Sequence, residues 1–168
     1  MSQWEFKIVH HLNSALGWVE LGNFSEARAE LNQLPPEFLS RPEVLEIRWI
    51  IDAAASDWES ALQTAREILK VAPDHPEGWL HQAYALRRKK DGGLQSAREA
   101  LEPVEDKFPE EPTIPYNLAC YACQLGHLDQ ARALLQKAIQ RGELKEIKKL
   151  ALKDPDLKDL WKEIVDYK

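Results

Sequence analysis

The chain has 168 residues, of which 30% are charged and 44% hydrophobic, and this composition is typical of a globular domain with its own core. Its 22 Lys and Arg residues against 28 Asp and Glu residues give a net charge of −6, which disfavours nucleic acid and anionic membranes as partners. No apolar stretch approaches the roughly 20 residues of a transmembrane helix, and the first residues lack the pattern of a secretory signal. Two cysteines are too few for a disulfide-stabilised scaffold. We therefore expect a cytoplasmic protein without nucleic-acid or membrane partners.

One sequence phrase recurs four times along the chain, as SEARAELNQL, ESALQTAREIL, QSAREALEPV and DQARALLQKAI. Each copy contains one alanine that serves as an anchor, and the anchors are Ala27, Ala61, Ala97 and Ala131. They are separated by 34, 36 and 34 residues, and the longer interval contains the turn KKDGG where other copies have LGN or LGH. A period of 34 residues with one two-residue insertion predicts a repeat protein.

The residues around each anchor indicate a helical hairpin. Five residues before it stands a small residue suited to a helix C-terminal turn with positive φ: Gly22, Ser56, Gly92 and Gly126. Three residues before it stands an apolar residue at the start of a second helix: Phe24, Trp58, Leu94 and Leu128. Four residues after it, one turn along the same face, stand Leu31, Ala65, Leu101 and Leu135. We expect the anchors and these last four residues to be core.

In chain order, the pattern predicts four hairpins of two helices each: 3–21 with 24–34, 43–55 with 58–71, 77–90 with 94–107, and 113–125 with 128–141. Pro35, Pro73 and Pro109 follow second helices and should end them. Pro103 falls inside a predicted helix, where it removes a hydrogen bond, so we expect a kink or an early break there.

Two further amphipathic helices are predicted after Gly142. The apolar face of the first contains Leu144, Ile147, Leu150 and Ala151. The apolar face of the second contains Leu157, Leu160, Trp161, Ile164 and Val165. This tail can cap the open apolar end of a repeat stack. Alternatively, it acts as an internal ligand that lies in the groove of the stack or exchanges with a second chain.

The repeat resembles the tetratricopeptide repeat, most closely at PYNLACYACQLGHLDQARALLQKAI (115–139) and ALGWVELGNFSEARAEL (15–31). It departs from that family's pattern at Trp49, where a small residue is usual, and in the longer third turn. The closing LALKDPDLKDLW also resembles the tail found after many bacterial repeats of this family.

The resemblance covers residues 8–141 and implies an all-α fold, built as a right-handed superhelical stack of about four hairpins. It implies one domain over residues 1–168, with repeats at about 8–41, 42–75, 76–111 and 112–142 and capping helices over 143–168. In this family the first helices line a concave groove that binds other proteins. The implied function is therefore that of a non-catalytic scaffold or adaptor.

The residues expected to line the groove are Leu12, Leu16, Ile50, Leu80, Tyr84, Arg87, Thr113, Tyr116 and Cys120. This mostly apolar set favours an apolar or amphipathic segment of a partner protein or peptide. Tyr84 and Tyr116 would act as rigid anchors, and Arg87 could bind a carboxylate. Alternatively, the N-terminal helix extension or the C-terminal tail covers these residues.

A second hypothesis is a self-association module, in which the groove or the terminal helix is buried against another copy in a homodimer. One subclass of the family holds the terminal carboxylate of chaperones with Lys, Asn and Arg side chains, and that subclass is disfavoured. The matching positions here hold Leu12, Leu16, Ile47, Glu77 and His81.

No arrangement of residues indicates catalysis, a metal site or a cofactor site. Cys120 and Cys123 have the C-x-x-C spacing, but a zinc site requires two further ligands, and the pair lies in the middle of a predicted helix. The two cysteines are therefore predicted to be core or groove residues. The sequence has no Gly-rich phosphate loop after a strand and no nucleophile elbow, so we expect a protein that is not an enzyme.

Overall fold

The computed structural model describes the backbone of residues 3–167 and the side chains of residues 5–167. It confirms the all-α fold, because these residues form ten α-helices and three 3₁₀ segments, with no strand. The α-helices are α1 (Gln3–Glu20), α2 (Phe24–Asn32), α3 (Pro42–Ala54), α4 (Trp58–Val71), α5 (Pro76–Arg88), α6 (Leu94–Leu101), α7 (Thr113–Gln124), α8 (Leu128–Arg141), α9 (Leu144–Ala151) and α10 (Trp161–Ile164). The 3₁₀ segments are Pro36–Phe38, Glu102–Val104 and Pro155–Leu160. Within residues 3–167, every helix is too short or too polar to cross a bilayer.

The chain divides between Ala85 and Leu86 into two compact units, which we call the N-terminal unit and the C-terminal unit. The N-terminal unit contains α1 to α4 and most of α5. The C-terminal unit contains the last residues of α5 and all of α6 to α10. The expectation of one domain over residues 1–168 stays a prediction.

The core of the N-terminal unit forms between the hairpins α1/α2 and α3/α4. The anchors Ala27 and Ala61 have no exposed surface, as predicted. Around Ala27, a cluster of buried apolar residues joins α1, α2 and α3: Ile8, Ala15, Leu31, Leu34, Val44 and Ile51. The buried carboxylate of Asp52 accepts hydrogen bonds from Arg28 (2.9 Å) and from the Thr64 hydroxyl (3.2 Å). These bonds connect α3 to α2 and α4.

The core of the C-terminal unit repeats this arrangement. The third and fourth anchors and the residues one turn after them are completely buried: Ala97, Leu101, Ala131 and Leu135. Glu105 is buried as well, and it accepts hydrogen bonds from Lys137 Nζ (2.8 Å) and from Arg141. Burial alone would raise the pKa of Glu105, but the two cations more than offset that effect and hold the pKa below its usual value.

Positive φ angles occur at three of the four predicted turn residues. Gly22 (φ 72°), Ser56 (φ 57°) and Gly126 (φ 81°) adopt the left-handed conformation just after α1, α3 and α7. The prediction for Gly92 is wrong, because the positive φ in the longer turn belongs to Gly93 (121°). Gly92 instead permits a close approach, since a Cβ atom there would lie 1.8 Å from the carbonyl oxygen of Leu86.

Pro103 breaks its helix as expected. Helix α6 ends at Leu101, and a 3₁₀ segment over Glu102–Val104 follows in place of the remainder of the predicted helix 94–107. Proline has no N–H, and its ring collides with the carbonyl group one turn earlier. The α-helical hydrogen-bond pattern therefore cannot continue through this position.

The second helix of the tail differs from the prediction. Instead of one amphipathic helix, the chain forms the 3₁₀ segment Pro155–Leu160, followed by the single-turn helix α10. The physical reason lies at the start of the segment, where the Asp154 carboxylate accepts a hydrogen bond from the Asp156 N–H at 3.0 Å. An aspartate that bonds its own backbone two residues on, followed by proline, favours a tight turn over an α-helix.

The apolar faces predicted for the tail are partly correct. The predicted face residues with no exposed surface are Ala151, Leu157, Leu160 and Ile164. Leu150 and Val165 were predicted on the same faces but are exposed. Trp161 is half-buried, and its indole N–H donates to the carbonyl oxygen of Ala151 at 2.9 Å. The tail is therefore attached by its leucine and isoleucine side chains rather than by a continuous helical face.

Candidate functional site

The nine predicted groove residues lie on four helices. In the N-terminal unit they are Leu12 and Leu16 of α1, Ile50 of α3, and Leu80 and Tyr84 of α5. In the C-terminal unit they are Arg87 in the last turn of α5, and Thr113, Tyr116 and Cys120 of α7. The first group is half-buried or exposed, whereas in the second group only Thr113 is exposed.

The N-terminal unit carries a set of apolar side chains on α1, α3 and α5 that are not fully buried, which we call the N-terminal face: Val9, Leu12, Leu16, Ile50, Leu80 and Tyr84. The three residues of α1 lie at i, i+3 and i+7, and the two residues of α5 lie at i and i+4, so each set shares one side of its helix. Val9 is 49% exposed and Tyr84 is 38% exposed, while the other four are half-buried. Sequence reasoning missed Val9, although its place one turn before Leu12 would have identified it.

An aromatic cluster fixes the position of Tyr84. Trp49 of α3 stacks on His81 of α5, with 3.8 Å between the ring centroids and 9° between the ring planes. Tyr84 lies edge-on to Trp49 at 5.9 Å and next to Trp58 at 5.8 Å. Trp49 is the residue that departs from the repeat pattern, and its ring fills the contact between α3 and α5. A tyrosine held in this way loses little side-chain entropy when it contacts a partner.

Carboxylates border the N-terminal face. Glu46 of α3 hydrogen-bonds to His81 Nε2 at 2.6 Å. Glu43 and Glu77 are exposed in the first turns of α3 and α5. The three glutamates line one cavity of about 490 Å³, together with Pro42, Ile68, Ala72 and His75. This surface therefore combines apolar side chains with negative charge.

In the C-terminal unit, the tail covers predicted groove residues of α7. The Tyr116 hydroxyl donates a hydrogen bond to Asp154 Oδ2 at 3.0 Å, and the Cys120 thiol donates to the same oxygen at 3.5 Å. Tyr116 is only 6% exposed and Cys120 only 3%. Burial is the main cause that raises the pKa of both groups well above its usual value, so both stay protonated. In this structure both groups contact the chain's own tail, which is the alternative given in the sequence analysis, and their role in binding a partner stays a prediction.

Arg87 holds the second carboxylate of the tail. Its guanidinium group donates two hydrogen bonds to Asp156, one of them from Nη2 to Oδ1 at 2.8 Å. Gln124 of α7 donates to the backbone carbonyl oxygen of Asp156 at 2.9 Å. The hydrogen bond with Asp156 is the largest cause that raises the pKa of Arg87 above its usual value. The predicted carboxylate ligand of Arg87 is thus supplied by residue 156 of the same chain.

The two parts of the tail contact different helices. Helix α9 packs against α8, the last helix of the repeats, as a cap would. The 3₁₀ segment Pro155–Leu160 packs against α7, on the helix that was predicted to line the groove. The segment after Asp154 thus lies against α7, and both hypotheses for the tail stay predictions.

One cluster has the spacing of metal ligands but not their chemistry. Potential ligand atoms of Cys120, Asp154 and Asp156 lie within 4.8 Å of one another. Burial raises the pKa of the Cys120 thiol, which disfavours the thiolate that a metal ligand requires. Arg87 already places a positive charge against Asp156 and would repel a metal ion. These residues hold the tail and do not fit a metal centre.

Comparison with known sequences identifies the repeat. The sequence profile of the tetratricopeptide repeat matches residues 52–93 and 90–145, which together span more than half of the chain. The first predicted repeat lies before the matched residues. No curated protein sequence matches the chain significantly.

Solved structures share the fold. MamA of Desulfovibrio magneticus RS-1, from residue 41 to its end, superposes with a TM-score of 0.64 at 20% identity, over 95% of this chain and 94% of that one. A thermophilic tetratricopeptide repeat protein of Thermus thermophilus gives 0.62 at 19% identity, over 93% and 97% of the two chains. A double mutant of MamA from RS-1 gives 0.63 at 14% identity, over 86% and 76%. At these identities the likeness concerns the fold alone.

Proposed function

Because the chain belongs to the tetratricopeptide repeat family, whose domains generally mediate interactions between proteins, we propose that it is a non-catalytic scaffold. Its N-terminal face binds an apolar or amphipathic segment of a partner protein. The observation that carries this proposal is the exposure of Val9 and Tyr84 beside half-buried aliphatic side chains on α1, α3 and α5. The family is typically non-catalytic, which supports the same proposal.

The geometry of Tyr84 supports a binding role over a purely structural one. Aromatic residues that are rigid and partly exposed contribute most to binding at protein interfaces. Tyr84 is fixed by Trp49 and Trp58 and still leaves 38% of its surface exposed. A tyrosine needed only for the core would be buried, as Tyr121 is in the C-terminal unit.

The equivalent surface of the C-terminal unit is not a candidate in this conformation. Tyr116 and Cys120 are buried beneath Asp154, and Arg87 is bonded to Asp156. A partner could reach them only by removing the tail, which would expose three completely buried side chains: Leu157, Leu160 and Ile164. Each such exposure costs about 1.5–3 kcal/mol. The N-terminal face requires no such displacement.

A randomised peptide library displayed on phage and selected on the full chain tests the proposal. We expect peptides with apolar residues at helical spacing, and their binding should be abolished by the double substitution Val9→Glu and Tyr84→Glu. The matched control is Leu21→Glu with Val71→Glu, which changes two exposed apolar residues of the same unit at helix ends. Circular dichroism should show equal helicity in all three proteins.

Three results would contradict the proposal. Selected peptides could lack apolar residues, or their binding could survive the Val9 and Tyr84 substitutions in a folded protein. The third is a dimer, seen by light scattering, that the Val9 and Tyr84 substitutions convert to a monomer. In that case the occupant of the face is a second copy, as the self-association hypothesis requires.

A further inference from the structure

We propose that the segment bound at the N-terminal face carries a lysine or arginine side chain, which enters the cavity between the first turns of α3 and α5. This inference rests on the function proposed above and specifies the chemistry of the partner. The partner segment is amphipathic and basic.

The cavity matches the two parts of a long basic side chain. Its volume is about 490 Å³, which is ample for one side chain. Ile68, which is 1% exposed, and Ala72 provide an apolar inner wall, while the exposed carboxylates of Glu43 and Glu77 stand at the rim. Lysine and arginine bury an apolar stem and keep the charged group near solvent. The wall would contact the stem and the rim would face the cation.

The rim carboxylates are not neutralised by strong ion pairs within the unit. Glu43 Oε1 lies 3.6 Å from Arg41 Nη1. Both side chains are more than 40% exposed, so this ion pair is weak. Among the described side chains, no cation is paired with Glu77. Glu46 is bonded to His81, which carries a full positive charge only when protonated.

The helix ends account for only part of this arrangement. An acidic residue in the first turn of a helix is stabilised by the helix dipole, which applies to Glu43 and Glu77. Glu46 lies beyond the first turn of α3, so the dipole gives no reason for a third carboxylate at the same cavity. Glu46 is held by its hydrogen bond to His81, and a cationic ligand would be attracted by all three carboxylates.

The net charge also differs between the two units, and the N-terminal unit is the more negative one. Residues 1–85 contain 13 acidic and 6 basic side chains, whereas residues 86–168 contain 15 acidic and 16 basic ones. The net negative charge therefore belongs to the unit that carries the N-terminal face. Complementary charge speeds the encounter with a basic segment and excludes acidic ones.

The test uses the full chain and the peptide library described above. We expect the selected peptides to contain Lys or Arg next to the apolar residues. The dissociation constant of the best peptide should rise about tenfold with Glu43→Gln plus Glu77→Gln. The dependence of this dissociation constant on salt concentration should become weaker in the same variant. The matched control is Glu26→Gln plus Glu37→Gln, which removes the same charge from exposed positions elsewhere in the unit. It should change the dissociation constant by less than about twofold.

The outcomes separate this inference from the function on which it rests. If the peptides are apolar without basic residues, or if both glutamine pairs weaken binding equally, the cavity assignment is overturned while the binding function stands. If the Val9 and Tyr84 substitutions leave binding unchanged, the proposed function fails and this inference fails with it. Enrichment of basic residues together with selective loss in the Glu43 and Glu77 variant supports the assignment.

Discussion

Replacing Arg87 with methionine should release the tail from the C-terminal unit. Methionine keeps most of the apolar stem but removes the guanidinium group that donates two hydrogen bonds to Asp156. The carboxylate would then be left half-buried without its cation. Gln124 would still bond the carbonyl oxygen of Asp156, while the contact of the guanidinium group with the Tyr121 ring would be lost as well.

The magnitude follows from the burial of the pair. Removing one partner of a fully buried ion pair costs about 3–5 kcal/mol, while an exposed pair contributes about 0–1 kcal/mol. The side chains of Arg87 and Asp156 are 24% and 20% exposed, which places this pair between the two limits. We expect the free energy of unfolding of the C-terminal unit to fall by about 2 kcal/mol.

The assay can be restricted to the C-terminal unit because Trp161 is its only tryptophan. Its indole bonds the carbonyl oxygens of Ala151 and Asp154, so fluorine NMR of 5-fluorotryptophan protein reports directly on the tail. In a urea titration, the midpoint of the Trp161 signal should fall by about 1–2 M. A double-mutant cycle with Asp156→Asn should show a coupling of at least about 1 kcal/mol. Additive effects of the two substitutions would refute the reasoning.

Three further substitutions test a buried carboxylate and two turn residues. The pKa of Glu105 is lowered in the fold, so its carboxylate stabilises the protein above the unfolded pKa of about 4.3, and this contribution is lost as pH falls through the folded value. Glu105→Gln should therefore lower the urea midpoint at pH 7 and flatten its fall below pH 5; an unchanged acid dependence would contradict this. Ser56→Gly should raise the free energy of unfolding by about 0.5–1 kcal/mol because Ser56 has φ 57°, and Gly126→Ala should lower it by a similar amount. Thermal unfolding measures both, and a loss of stability in Ser56→Gly would contradict the conformational argument.

The hairpins and their cores could be predicted because each position of the repeat meets the same structural requirement in every copy. A residue such as Ala27 or Ala131 recurs where two helices approach closely, and a residue such as Gly126 recurs where the backbone must take positive φ. The same reasoning gave a wrong prediction at Gly92, in the longer third turn. The sequence alone does not distinguish two adjacent glycines. In the fold the N–H of Gly93, which has the positive φ, donates to the carbonyl oxygen of Leu86, whereas the N–H of Gly92 donates to that of Lys89.

The site was less predictable because exposure depends on contacts that are distant in sequence. Helical periodicity correctly placed Tyr116 and Cys120 on one side of α7, but it could not show what covers that side. The contact of Tyr116 with Asp154 spans 38 residues, and that of Arg87 with Asp156 spans 69. These contacts depend on the turn at Pro155. The apolar pattern of the sequence predicted a helix over this segment and therefore did not predict the turn.

The acidic residues of the tail contact groups of the C-terminal unit that complement them. The tail presents Asp154 and Asp156, and the helices beneath it offer the guanidinium of Arg87 and the hydroxyl of Tyr116. The N-terminal face is bordered instead by carboxylates, which would repel an acidic segment. On the function and the cavity assignment proposed above, the two surfaces select opposite ligands: an acidic segment of the chain itself at α7, and a basic amphipathic segment at the N-terminal face. On this argument, reversing the charge of the Glu43 and Glu77 rim should create affinity for acidic segments rather than merely weaken binding.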